Sequence, residues 1–558
     1  RERLLHIVNF WNGLFPKISL KKPPTSLDYP GYISSYKATV SYLCNVLSRG
    51  FPSERKSSSC LRRPWKRTGA NKVLSLSNFQ RLMGYASWMH STPEPTSGQK
   101  RRFKHHLRYV GSFLQLKRSL PDFEPEMVHK ALKNHGALLG KDTYPFEGLS
   151  EDIAGLIVQM SNLKSSVGSR RYARKLFLGT APLSFARKAC DEGRDVVKQV
   201  RSRFVDNIDL GRREIFPHRL PETVDRREVC GSVVRTRVLE MFERMSKDTR
   251  NVCRVVGVQD AAKIRPVTCM PSASKCLVPV QKILHRHLRS FGPVFSCTRR
   301  PIRESDVNYI VNDPERTPEM VFVSGDFDSA TDGIIRQVRE FFATCIQLPN
   351  VVPKYIRDYV RQELSAKTLH YESREWSVDQ KRGILMGSLL SFPLLCILNY
   401  ACFRRIFRKR RVKINGDDIM FLATRDEYEQ WRRCTYEVGL VVNQHKTLLS
   451  PNIVTMNSEY FTVSGGCATK CYIPPLVLAR TLDLDSLPLI KEGERAYFKR
   501  FIPWTKRDRR PAFAPKIFGG MGGSSSVPSD SDDLHRLKMF NLSMNRFPNF
   551  FENLFIDR

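Results

Sequence analysis

The spacing of apolar residues changes along this chain, and each change predicts a different kind of element. From Met127 to Phe204 apolar positions recur every three or four residues, as in "MVHKALKNHGALL" and "RRYARKLF", which predicts helices. From Val252 onward short β-rich runs alternate with longer helical ones, an α+β pattern. Up to about residue 120, apolar patches are interrupted by polar runs such as "RKSSSCLRRPWKRTGANK" (Arg55 to Lys72) and "GQKRRFKHHLR" (Gly98 to Arg108), which read as loops. The longest apolar segment, "MGSLLSFPLLCILNYACF" (Met386 to Phe403), is broken by Ser, Pro and Asn, so it predicts a buried helix rather than a membrane span. Near the end, "GGMGGSSSVPSDSDD" (Gly519 to Asp533) is a flexible, turn-rich segment before a last amphipathic stretch, "LHRLKMFNL". No internal repeat is visible.

Composition narrows the partner. Of 558 residues, 41% are hydrophobic, enough to bury a sizeable core. Against 55 Asp and Glu stand 92 Lys and Arg, a net charge of +37, which in a globular chain points to a polyanion, nucleic acid first. A generally basic surface, or attraction to an anionic membrane, would carry the same charge. On the nucleic-acid reading the N-terminal basic loops would face RNA, with Trp65 and Phe103 available to stack on bases; solvated linkers are an equal alternative. The 14 cysteines show no paired metal-type spacing, Cys467 and Cys471 being the nearest approach, and read as free thiols in a reducing compartment. The first residues, "RERLLHIVNFWNGLF", carry Glu2 and no small-residue cleavage site, so no signal peptide is expected.

Chemistry concentrates in the middle of the chain. In "VKINGDDIMF" (Val412 to Phe421) the Asn415-Gly416 dipeptide favours a tight hairpin turn, presenting Asp417 and Asp418 at or just after its tip. Alone, that is an ordinary solvated hairpin as often as not. Upstream, "MVFVSGDFDSATDG" (Met320 to Gly333) delivers Asp326 at the end of a buried strand, with Asp328 and Asp332 following into a helix start, an N-cap being the ordinary alternative for Asp332. A carboxylate directly after a buried strand must be ligated, paired or solvent-facing. Two strand ends bearing carboxylates can share divalent ions of the Mg²⁺ type. Between them, "RGILMGSLLSFPLLCILNY" (Arg382 to Tyr400) makes a small-residue loop through Gly383, Gly387, Ser388 and Ser391, then a helix with Ser391 as N-cap, Pro393 in its first turn and Asn399 as its one amide. In "QDAAKIRPVT", Lys263 and Arg265 share one face of an extended segment and suit a triphosphate, or form a basic strand edge. Lys446, in "VGLVVNQHKTLLSP", is a candidate proton donor or an ordinary surface lysine.

The order of these pieces says more than any one of them. "KIR", "GDFDSATD", "RGILMGSLLSFPLLCILN", "NGDD", "NQHKT" and "NSEYF" (Asn457 to Phe461) together resemble motifs F, A, B, C, D and E of viral RNA-dependent RNA polymerases. The wording of "LMGSLLSFPLLCILN" is most similar to ourmia-like (botourmiavirus) polymerases, with narnavirus and levivirus polymerases as more distant kin. The resemblance covers about residues 250 to 465. It implies a right-hand fold of fingers, palm and thumb with an antiparallel palm sheet flanked by helices and a helix-rich N-terminal region. The divisions it implies are 1–250 for a basic N-terminal extension and fingers, 251–318 for fingers with motif F, 319–346 for palm, 347–380 for a fingers insertion, 381–465 for palm, and 466–558 for thumb and tail.

Residue by residue, the resemblance implies Asp326 and Asp417 as principal metal ligands, with Asp418 assisting. Asp332 and Asn399 would read the ribose 2′-hydroxyl, Lys263 and Arg265 would hold the triphosphate, and Gly387 and Ser388 would form the gating loop. Lys446 would be the general acid. The cofactor would be two Mg²⁺ ions, with Mn²⁺ able to substitute. The partners would be RNA template, nascent RNA and NTPs, without stable membrane insertion. The function would be replication of a positive-strand RNA virus genome in the host cytoplasm; a mitochondrial location, which the resemblance also allows, is less favoured because the N-terminus lacks an Arg/Ser-rich amphipathic presequence. Two positions depart from the relatives: Leu389 stands where they usually have Pro, and Asp328 adds a third acid beside Asp326. A reverse transcriptase is the nearest rival, but it has an aromatic residue where Gly416 stands. A catalytically silent RNA-binding protein is the rival from another class, and the three carboxylates, which weaken RNA binding unless a metal neutralises them, argue against it.

Overall fold

The computed structural model describes residues 8, 11–12, 15–22, 29–49, 61–92, 96–115, 125–141, 149–179, 226–260, 263–371, 375–444 and 446–471. The flexible segment at Gly519 to Asp533, the amphipathic stretch after it, and all of the expected thumb from residue 472 lie outside them. The described residues fall into two compact units, the first holding 8–115 together with Asp260 and Cys471, the second 125–259 and 263–470.

The first unit is helical where polar runs had predicted loops. It contains α1 (Tyr29–Arg49), α2 (Arg62–Arg67), α3 (Leu76–Ser91) and α4 (Ser97–Gln115). The expectation failed because "GQKRRFKHHLR" and the residues just after it hide an apolar stripe, Phe103, Leu107 and Val110 at helical spacing, beneath the charges; all three are buried in α4. Phe103 packs near Trp88, ring centroids 6.1 Å apart. It is core and not a stacking platform for bases. Trp65 donates its indole N–H to the Leu74 carbonyl at 3.0 Å and lies under the Lys21 ammonium.

The second unit opens with α5 (Pro125–Leu139), α6 (Glu151–Met160) and α7 (Val167–Phe177), as the helical spacing from Met127 predicts, the last part of that stretch, 180–204, lying outside the described residues; α8 (Arg226–Ser246) follows. The strands β1 (Val252–Asp260) and β2 (Lys263–Cys269) follow, then α9 (Val278–Leu288) and α10 (Glu304–Val311). Next come β3 (Val321–Gly325), α11 (Ala330–Gly333), α12 (Arg336–Cys345), α13 (Lys354–Glu363), β4 (Thr368–Tyr371) and β5 (Trp376–Asp379). The unit closes with α14 (Ser391–Ile406), β6 (Val412–Asn415), β7 (Asp418–Ala423), α15 (Arg425–Glu437), β8 (Leu448–Ser450), β9 (Ile453–Met456), β10 (Glu459–Ser464) and β11 (Cys467–Cys471).

Three sheets form. The central one runs β6-β7-β3-β8, every neighbouring pair antiparallel. A second runs β2-β1-β4-β5, with β1 and β4 parallel, and a third runs β11-β10-β9. The architecture is thus mixed helix and sheet with an antiparallel central sheet.

The central sheet is held by two cores. Val323, Phe421 and Ala423 lie in a large cluster with α14, α15 and the helices before them, while Phe322, Met420 and Leu422 lie in another with α10 and the third sheet. Alternate residues of one strand therefore face two different cores, as the period of two requires. Both faces are dry, which is why "MVFV" and "IMFLA" read as apolar runs rather than alternating ones. The segment from Met386 becomes the buried helix expected of it: α14 is buried from Pro393 to Phe403. Among the described residues no helix is long and apolar enough to cross a membrane.

A candidate acidic active site at adjacent strand ends

The last pair of the β3–β7 ladder is Gly325 with Ile419. The next residue on each strand is a carboxylate, so Asp326 and Asp418 leave the sheet side by side. Asp418 also pairs with Asn415 across the β6–β7 hairpin. The loop is therefore Gly416-Asp417, one residue later than the expected Asn415-Gly416 turn. Only Gly416 takes a positive φ there, +70°, as a turn with glycine in its first loop position requires. Asp417 stands exposed at the tip and Asp418 is half-buried.

Three residues of α14 brace this turn. Asn399, wholly buried, donates from Nδ2 to the Gly416 carbonyl at 3.1 Å. The Gly416 N–H donates to Cys396 Sγ at 3.3 Å. Phe392 closes the gap: a Cβ on Gly416 would lie 2.9 Å from its Cε2. On the other side, Asn415 Nδ2 donates to Asn457 Oδ1 at 2.7 Å, tying the acidic turn to the β9–β10 turn, where Asn457 and Ser458 both have positive φ.

Asp326 is held by its neighbours. Its carbonyl accepts from the Asn443 N–H at 2.8 Å, and its carboxylate Oδ2 accepts from Lys446 Nζ at 2.8 Å. Asp328, the third acid, accepts instead from Asn443 Nδ2. Among the described residues no three His, Cys, Asp or Glu side chains converge tightly enough to hold a metal ion as they stand. Like charges repel, and Asp326 has taken the Lys446 ammonium as its counter-charge. The donor set at the two strand ends is nevertheless all carboxylate oxygen, which suits Mg²⁺, and an ammonium already stands at Asp326 as a cation.

Asp332 sits deeper. It lies inside the single turn of α11, whose N-cap is Ser329 at φ +49°, so the ordinary alternative of a capping residue does not apply. Burial pushes its carboxyl up to about 7, with the Thr331 hydroxyl pulling weakly the other way. Glycines let the chain close around it: a Cβ on Gly383 would lie 3.1 Å from the Asp332 Cα, and Gly333 abuts the Gly439 carbonyl.

The small-residue loop is pinned at both of its predicted residues. The Gly387 N–H donates to Thr268 Oγ1 at 2.7 Å, and a side chain on Gly387 would run into the Thr268 carbonyl. Ser388 donates to Glu363 Oε1 at 2.7 Å, while Ser274 donates to Glu363 Oε2 at 2.7 Å. Burial raises the Glu363 carboxyl, and those two hydroxyls act against the rise. The helix after the loop begins at Ser391 with Leu390 as N-cap; the Ser391 hydroxyl bonds the Ser388 carbonyl at 3.0 Å rather than capping. Lys263 and Arg265 both lie on β2, the strand that carries Thr268.

Below the acidic turn, Lys413 of β6 is almost wholly buried and bonds Asp306 Oδ1 at 2.8 Å. Arg300, Ser296 and the Arg303 N–H also donate to Asp306. Burial alone would raise this carboxyl, but those donors bring it well below the usual carboxylate range.

Sequence reasoning did not find Glu363, Asp306, Cys396, Thr268 or His135, which stands 3.7 Å from Asp332. Only His135 left a trace, as one half of a His-Gly pair inside a helical run, where an interior glycine hints at a close packing contact.

No protein-family model matches the chain. It is similar to the RNA-dependent RNA polymerase of Ourmia melon virus (isolate Melon/Iran/VE9), 29% identical over 258 residues, which cover 40% of this chain and 28% of that polymerase. The match thus spans less than a third of the relative's length. A chain from the in situ structures of the segmented genome and RNA polymerase complex inside a dsRNA virus aligns at 12% identity with a TM-score of 0.43, over 78% of this chain and 40% of that one. That alignment is too distant to carry a fold assignment. The resemblance to viral RNA-dependent RNA polymerases rests on the ordered motifs together with the ourmiavirus relative, a nucleotidyltransferase.

Proposed function

We propose that this chain is an RNA-dependent RNA polymerase that replicates a positive-strand viral genome in the host cytoplasm. The observation that carries the reading is the β3–β7 register, which sets Asp326 beside Asp418 with Asp417 at the adjoining turn. The right-hand description follows the same reading: the β6-β7-β3-β8 sheet would be the palm, and the β1–β2 strands would belong to the fingers.

Asp326, Asp417 and Asp418 would hold two Mg²⁺ ions, which when bound neutralise charge on the attacking 3′-hydroxyl and on the departing pyrophosphate. In the reaction the primer 3′-oxygen bonds the α-phosphorus of the incoming NTP as the α–β phosphoanhydride breaks. Lys263 and Arg265 would hold the triphosphate, Asp332 and Asn399 would select a ribose bearing a 2′-hydroxyl, and Gly387 and Ser388 would shape nucleotide entry. Lys446, whose ammonium is bonded to Asp326 in the described state, would give a proton to pyrophosphate as it leaves.

Primer extension on an RNA template with Mg²⁺ tests the reading. Asp417→Asn is expected to abolish incorporation while leaving RNA binding nearly intact, and undiminished synthesis by that variant sinks the assignment.

A further inference from the structure

We infer that His135, on a helix outside the six motifs quoted above, is a positioning residue that sets the orientation of Asp332 and through it the discrimination between ribose and deoxyribose. The inference rests on the reading of Asp332 as the group that meets the sugar.

Three buried side chains stand in a row. Tyr371 Oη lies 2.9 Å from His135 Nδ1, and His135 Nε2 lies 3.7 Å from Asp332 Oδ2. With a carboxylate oxygen on the Nε2 side, the imidazole proton belongs on Nε2, and Nδ1 accepts from the Tyr371 phenol. The 3.7 Å separation is longer than a hydrogen bond, so in this state the ring orients the carboxylate by its N–H dipole. The second carboxylate oxygen, Oδ1, faces the Thr331 hydroxyl at 3.4 Å. Asn399, the residue that the resemblance pairs with Asp332 at the sugar, donates its amide to the acidic turn. Among the described residues, the side chain that faces Asp332 Oδ2 is that of His135.

The row is built to stay where it is. Tyr371 stacks flat on Trp376, centroids 3.9 Å apart at 3°. Gly136, next to His135, lets α5 close on that stack, since a Cβ there would lie 2.8 Å from the Trp376 ring; Gly140 packs on Val378 in the same way. The far end of α5 is tied to the loop that covers Asp332, since the Lys381 and Arg382 N–H groups donate to the Leu139 carbonyl at 2.9 and 3.3 Å; within that loop Gln380 Nε2 donates to the Gly383 carbonyl at 2.8 Å. Burial lowers the His135 imidazole to about 4, so at neutral pH the ring is a neutral donor rather than a fixed cation.

The test compares kcat/KM for one ribonucleotide and its 2′-deoxy analogue opposite the same template base, using the full chain. For His135→Ala the ribo-to-deoxy ratio is expected to fall about fivefold, the order of one lost polar contact, through a raised KM for the ribonucleotide. His135→Gln, which restores a donor, should recover part of the ratio. Equal losses for both sugars, or an unchanged ratio, overturn the inference. Tyr371→Phe keeps the ring stack and removes the hydroxyl, so it should lower the ratio to a lesser degree; an unchanged ratio there counts against the row even where His135→Ala does not fold. Asp332→Ala separates the two levels. If it leaves the ratio untouched, the sugar-reading role of Asp332 fails and the inference with it; if it lowers the ratio while His135→Ala does not, the inference alone fails.

Discussion

Gly416→Ala isolates what the acidic turn owes to its backbone. Two costs follow from the structure. A residue with a Cβ at φ +70° loses about 1–2 kcal/mol relative to glycine. The added methyl would also stand 2.9 Å from Phe392 Cε2 and 3.3 Å from Cδ2, against about 3.5–4.0 Å for a comfortable carbon contact. Either the ring or the turn must yield by roughly half an ångström or more, and overpacking of that kind costs about 1–3 kcal/mol. The turn cannot yield freely, because the Gly416 N–H and carbonyl are both bonded to α14. A turn that moves carries Asp417 and Asp418 with it, and where a misplacement of about 1 Å costs on the order of 10²-fold in rate, one of half that size costs about tenfold. We expect Gly416→Ala to lower primer-extension activity by at least tenfold with a modest fall in melting temperature, RNA affinity being unchanged. Adding Phe392→Leu should relieve the ring overlap and recover part of the activity, but not the share lost to φ. Wild-type activity in the single variant refutes the strain argument, and a double variant no better than the single refutes the part assigned to Phe392.

Other outcomes test the supports of the site. Asp306→Asn would leave the buried Lys413 ammonium without its carboxylate, which costs about 3–5 kcal/mol at neutral pH. Because the folded Asp306 carboxyl lies below its unfolded value, its stabilisation is complete above the usual carboxylate range and is lost as pH falls through and below that range. The melting-temperature gap between the variant and the parent chain should therefore narrow on acidification from about pH 4, and a gap independent of pH contradicts this account. Ser388→Ala removes one of the two hydroxyls on the buried Glu363 and should cost about 1–3 kcal/mol, read by chemical unfolding. In the Glu363→Gln background the same substitution should cost measurably less; strict additivity would show that the two side chains are not coupled.

Much of the site's address was readable from residue order. The carboxylate after "MVFV", the "NGDD" hairpin and the small-residue loop before an apolar helix each name an element by local chemistry, and the structure brings Asp326 and Asp418 to adjacent strand ends. Local rules also erred in recognisable ways. Asn415 was expected in the turn because its propensity for positive φ is local, but register is decided by which residues pair across the sheet, and that moved the loop to Gly416-Asp417. Residue type makes Ser391 the expected cap of its helix and offers a cap as the ordinary alternative for Asp332; one bonds the Ser388 carbonyl and the other lies inside its turn. The basic N-terminal runs were read as loops because charge hid an apolar stripe at helical spacing.

By itself, the sequence determined the α+β class, the order of the motifs, a basic chain with an acidic island, and the resemblance to viral polymerases. These depend on residue type and on neighbours close in sequence. Only the tertiary structure decided which groups stand behind the acids: Asn399 and Cys396 on the turn, Glu363 under Ser388, His135 beside Asp332 and Lys446 on Asp326. His135 and Asp332 are almost two hundred positions apart along the chain. Their meeting follows from α5 packing on Trp376 through a glycine, and no local pattern along the chain records a contact made by packing.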